Sequence, residues 1–161
     1  MSASTMATRP VEHPLSQALA AETELIGSLR TALWNQRTGV AESDPAKVET
    51  ATMAIARISV AMGEVRRERF SLIDAITGSS VGGLDAAIEA SPIEFRPVLE
   101  GVRDRLRDEI VAATQDATIT QLVLRRALQS GEAFLQQLFS MHRLDYNPNG
   151  TPESLLVDRT A

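Results

Sequence analysis

No cysteine occurs among the 161 residues, which removes disulfides, thiolate nucleophiles and thiolate metal sites and fits a reducing cytosol. Aromatic residues are scarce, with one Trp, one Tyr and four Phe, so the bulk that fills a thick β or α/β core is missing. Basic charge is not in excess either. Sixteen Lys and Arg against 21 Asp and Glu leave a formal net charge of −5, which opposes non-specific attraction to nucleic acid and to anionic membranes. No apolar run approaches the ~20 residues that span a bilayer, and residues 1–14 lack the apolar centre of a signal peptide. The expectation is a cytoplasmic protein without membrane insertion. Histidine is limited to His13 and His142, and neither has a Glu three residues before it, the spacing that places both groups on one helix face in bundle metal sites. His13 reads as part of the N-terminal tail, and His142 as a residue that suits a helix C-terminus. No metal, no cofactor and no enzymatic activity are expected.

What the chain does have is helical periodicity. Leu106, Ile110, Ala113, Ala117, Thr120, Leu124, Ala127, Gly131, Phe134, Leu138 and Met141 alternate spacings of four and three, which predicts one amphipathic helix over 97–144. At ~1.5 Å per residue such a helix runs on the order of 70 Å and needs a partner along its length. Leu15, Leu19, Glu22, Ile26, Leu29, Leu33 and Val40 mark a first helix over about 14–38, with Gly39 placed to end it. A second, over 44–77, opens on the N-cap signal Asp44-Pro45 and closes at Gly78. Its seam is Val48, Ala51, Ile55, Ile58, Met62, Val65, Arg69, Leu72 and Ile76. Arg69 is the misfit, and either snorkels outward or meets a carboxylate such as Glu22 on a neighbouring helix.

Residues 78–83 break the pattern with glycine and serine, 84–90 suit a short helix, and Pro97 places a turn before the long helix. The Gly-rich break follows a helix and lacks the Lys-Ser/Thr of a phosphate-binding loop, so it reads as a connector. Arg66-Arg67-Glu68-Arg69 reads as a solvated helix face rather than a nucleic-acid patch. The fold class that follows is all-α: an elongated antiparallel bundle or coiled coil of two medium helices and one long C-terminal helix. A flexible arm over 1–13 and a flexible tail over 146–161 flank it.

Along the long helix the seam changes character. Ala113, Ala117 and Thr120 make a narrow stretch suited to a permanent neighbour. Leu124, Leu128, Phe134, Leu135, Leu138, Phe139 and Met141 then widen the apolar arc to roughly 160° at ~100° per residue. Two readings fit this widening: core facing a third helix, or an open face for an amphipathic helix of another protein. Ile119, Leu122 and Val123 lie off the main seam, without an assigned role.

The stretch from Leu122 through Leu128, Leu135 and Leu138 to Tyr146, followed by Gly150, resembles the C-terminal region of the FlgN-type flagellar export chaperones, whose long helix ends in a Tyr-x-x-x-Gly segment. Residues 64–78 also look like that family's second helix, and the resemblance covers about residues 15–150. Where the family often carries paired Asn, this chain has Asp116 and Ile119. The resemblance implies a cytosolic type III secretion chaperone that binds the terminal helices of hook-associated (hook–filament junction) proteins and delivers them to the flagellar export gate. It assigns client binding to the apolar face from Leu124 to Met141 and gate docking to Tyr146 with Gly150. The alternative is a constitutive coiled-coil adaptor or homodimeric scaffold without an export role, its wide face closed by a second copy.

Overall fold

The computed structural model describes residues 13–79 and 82–145, so the expectations for the N-terminal arm before His13 and for the tail, with Tyr146 and Gly150, fall outside the described residues. The described residues form four helices: α1 (Pro14–Ala41), α2 (Pro45–Thr77), α3 (Leu84–Ala90) and α4 (Arg96–Asp145). No strand occurs among the described residues, and the all-α bundle is the observed class. None of these helices is long and apolar enough to cross a membrane. By its contacts the chain divides after Leu124; the bundle is the first unit, and α4 from Arg125 onward belongs to the second.

Local chemistry sets the helix ends. Asp44 caps α2, its Oδ1 accepting from the Lys47 amide at 3.0 Å, and Pro45 fills the first helical position where no N–H is needed. Gly78 closes α2 with φ of 67°, a left-handed conformation that a side chain would oppose. Pro97 falls in the first turn of α4, where its missing amide costs nothing. Arg96 reaches back to the carbonyls of Ser91 and Glu89, fixing the end of α3 against the start of α4.

Two expectations about α1 need correction. His13 is not tail: its Nδ1 accepts from the Leu15 amide at 3.3 Å, and its ring lies 5.1 Å from that of Phe95. A helix start so held is tied to the turn that precedes α4. Gly39 does not end α1, which continues to Ala41 and turns through Ser43 at φ 56°. A Cβ at Gly39 would stand 2.9 Å from Val48 Cγ2 and 3.0 Å from Val48 N, so the glycine serves the close approach of α1 and α2.

The tight turn runs α2 back along α1. The antiparallel register is marked by Gln36 Nε2 donating to Thr52 Oγ1 at 2.9 Å at one end and by Arg66 Nε donating to Glu22 Oε1 at 3.0 Å further along. Within this unit α4 runs parallel to α1, with His13 beside Phe95 and, further on, Arg37 donating to Thr120 Oγ1 at 3.0 Å. Leu15, Leu19 and Ile26 of α1, Ile73 of α2, Ala87 and Ile88 of α3, and Leu99, Leu106 and Ala113 of α4 form one apolar core.

Inside that core sits a charge. The Glu22 side chain is 1% exposed, and Arg66 and Arg69 converge on its two oxygens at 3.0 and 2.9 Å. Arg69 thus meets the carboxylate that its place on an apolar row required. Residues 66–68 are exposed, as the reading of a solvated face expects, with Arg66 reaching Glu22 from the surface and Arg67 donating to the Gly63 carbonyl; Arg69 alone turns inward. Because the pair is desolvated, removing one partner strands the other. Glu22→Ala is expected to lower stability by roughly 3 kcal/mol, whereas Glu22→Leu combined with Arg69→Met restores most of it. Thermal unfolding followed by circular dichroism checks both, and an unchanged midpoint in Glu22→Ala contradicts the assignment.

Candidate functional site: an exposed apolar face on the long helix

The rotation of α4 decides which residues remain for function. Leu99, Leu106, Ala113 and Thr120, seven apart, are buried, as a seam facing fixed neighbours requires. The second row of that seam is not the expected one. Ile110 and Ala117 are exposed, and the half-buried positions are Val102, Glu109, Asp116 and Val123, one residue earlier in each heptad. Arginines on α1 explain the shift. Arg30 donates to Asp116 Oδ2 at 2.9 Å and to Glu109 Oε2 at 3.0 Å, and Arg37 donates to Asp116 Oδ1 at 3.2 Å. Arg37 also donates to the Asp116 carbonyl at 2.9 Å, so one side chain grips both the acid and its backbone. The small-residue middle does pack on a permanent neighbour through Ala113 and Thr120, but Ala117 takes no part.

Beyond Leu124, which is half-buried, the helix carries its large apolar side chains in the open. Leu128 is 69% exposed, Phe134 61% and Phe139 69%, with Leu135 and Leu138 exposed between them. These five recur at helical spacing on one face, while Arg126, Gln129, Ala133, Gln136 and Gln137 occupy the rest. Elsewhere exposed apolar residues stand singly, as with Trp34 on α1 and Phe70 on α2, or in pairs, as with Ile110 and Val111 and with Ile119 and Leu122 on α4, which is ordinary for a protein surface. A row of five is a contiguous apolar patch of the kind a partner would cover. Met141 belongs to α4, but its side chain is outside the described set, as are Tyr146 and Gly150. Ile119 and Leu122 are exposed, and Val123 joins the inner row. The structure therefore brings Leu128, Phe134, Leu135, Leu138 and Phe139 together on one open face and leaves Leu124 at its start.

A groove of about 560 Å³ between α1 and α2 was not legible from the apolar pattern. Ala32, Ala51, Ala54 and Ile58 wall it, and its one acid, Asp44, is already engaged as the α2 cap. Ser28, Thr31, Asn35, Lys47 and Thr50 bring polar groups to the same lining. The signal for it was the run of alanines on α2.

Asp116 ties the position where the resemblance expects Asn to the bundle rather than to a partner. Hydrogen bonds from Arg30, joined by those from Arg37, hold its carboxyl below the usual carboxylate range against the opposing effect of partial burial. A carboxyl with a lowered folded-state pKa contributes stability that is complete above its unfolded value of about 3.9 and is lost as pH falls through the folded value. Asp116→Asn is therefore expected to lower the melting temperature at pH 6 and to show a smaller further drop between pH 5 and pH 2.5 than the unaltered chain. Equal drops across that window contradict the ion-pair account.

No family model, no curated protein and no solved structure matches this chain.

Proposed function

We propose that the protein is a cytosolic chaperone of flagellar type III export that holds the terminal helices of hook-associated proteins and carries them to the export gate, with no chemistry of its own. The observation that carries this reading is the open row Leu128, Phe134, Leu135, Leu138 and Phe139 on the stretch of α4 after Leu124, where the rest of the surface is polar or small. An amphipathic client helix laid along it meets anchors at successive turns, which is the helix-in-groove mode of recognition. Covering five such side chains contributes on the order of 5 to 10 kcal/mol, above the roughly 2–5 kcal/mol that ordering a disordered segment costs. The flagellar assignment rests on the resemblance of residues 122–150 to the FlgN-type chaperones, in which Tyr146 and Gly150 take the gate-docking role.

The alternative, a homodimeric scaffold closed through the same face, makes a different prediction about mass. Light scattering on the isolated chain is expected to give a monomer on dilution, and titration with a hook–filament junction subunit a one-to-one complex. Phe134→Ala with Phe139→Ala removes two rigid anchors at about 2 kcal/mol each and is expected to weaken that complex by about 100-fold or more while the helical circular dichroism persists. Undiminished binding by the double variant places the client elsewhere, and a dilution-resistant dimer favours the scaffold.

A further inference from the structure

The contacts of Glu22 leave part of Arg69 unused. Its Nε stands 2.9 Å from Glu22 Oε2 as an ion pair without hydrogen-bond geometry, and Phe70 covers its guanidinium at 4.9 Å from the ring centroid. The side chain is only 17% exposed, and its buried Nε has no hydrogen-bond partner among the described residues. Arg69 borders a pocket of about 350 Å³ between α2, α3 and α4. Arg103 and Arg107, one turn apart on α4, add two more guanidinium groups to its lining. Arg103 is engaged by Asp85 at 2.8 Å and by Asp104 at 2.9 Å, whereas Arg107 is exposed and has no partner among the described residues. Three cations thus line the pocket with one acid, Asp85; Arg107 has no partner among the described residues, and Arg69 has an ion pair with Glu22 but no hydrogen bond from its Nε.

The rest of the lining is hydrocarbon apart from Asp85. Leu106 is buried, Leu84 is half-buried, and Ile110 turns toward this pocket because the α4 seam is rotated to place Glu109 inward. Planar guanidinium forks match a carboxylate, and partly buried donors without a partner gain most from a charged acceptor. An inorganic anion would satisfy the arginines and leave the aliphatic wall wet. We propose that this pocket binds a carboxylate borne on a small branched aliphatic body, with Arg69 and Arg107 taking the carboxylate and Leu84, Leu106 and Ile110 the hydrocarbon. Such a group is found on a free branched-chain acid and at the C-terminal residue of a peptide ending in Leu, Ile or Val. The site is on the bundle and does not depend on the chaperone reading.

The test uses the full chain, titrated by calorimetry and by amide chemical shifts with 4-methylpentanoate, acetyl-Ala-Ala-Leu, the amide of that peptide, and inorganic phosphate. A ligand of about eight heavy atoms is expected to bind 4-methylpentanoate-fashion with Kd of about 1 mM. A tighter Kd for acetyl-Ala-Ala-Leu identifies a chain terminus as the source, and a Kd equal to or weaker than that of 4-methylpentanoate identifies the free acid. Arg107→Ala is expected to raise Kd about tenfold without changing the melting temperature, because Arg107 holds nothing else in place. Arg69→Lys, which keeps a cation for Glu22 but loses the fork, is expected to weaken binding as well. Equal binding of the peptide amide, binding of phosphate as strong as that of the acids, no shift near Ile110 at 10-fold the expected Kd, or full affinity in Arg107→Ala each overturns the proposal.

Discussion

A carboxylate placed where water does not reach it must be met by cations, and Glu22 imposes that demand on the whole bundle. Its partners come from one stretch of α2, so α1 and α2 have a single register in which Arg66 and Arg69 arrive together. The close approach at Gly39 and Val48, nearer the connecting turn, agrees with the same register. A slip by one helical turn would strand both charges in low dielectric. Ion pairs of this kind contribute little net stability compared with well-packed hydrocarbon, but they penalise the wrong alignment heavily. In a core built largely from Leu, Ile and Ala, which pack almost equally well in neighbouring registers, that penalty is what selects one arrangement.

The same logic governs α4. Arg30 and Arg37 draw Glu109 and Asp116 inward and so rotate the helix by one residue from the setting that apolar residues alone favour. The rotation has two consequences. Ile110 leaves the seam for the wall of an arginine-lined pocket, and the inner row passes through Val123 and Leu124, after which the apolar arc is open. One helix therefore serves two ends: its first half is consumed by packing and ion pairing within the bundle, and the half after Arg125 keeps its large side chains exposed.

Much of this was legible in the residues. The seam of α1 reads correctly even through Glu22, because a lone acid on a strict apolar row and a lone arginine on its neighbour predict each other. The caps at Asp44 and Gly78 follow from local stereochemistry and hold for the same reason. The phase of α4 was not legible, since counting apolar residues assigns Ile110 and Ala117 to the interior and gives no weight to a carboxylate whose partner lies about 80 positions away in sequence. His13 and Gly39 were misread because their roles, a ring against Phe95 and a contact with Val48, exist only once helices meet. The apolar row from Leu128 to Phe139 was visible as a widening of the arc, but whether it faced a neighbour or the solvent depended on packing.

The division of α4 is the central claim, and hydrogen–deuterium exchange on the dilute chain tests it directly. A helix without tertiary cover is marginal in water, so amides over 125–140 are expected to exchange orders of magnitude faster than those over 99–120, and to become protected when a junction subunit is added. Slow exchange of 125–140 in the isolated monomer, matching that of 99–120, would mean that the face is already covered and would contradict the account.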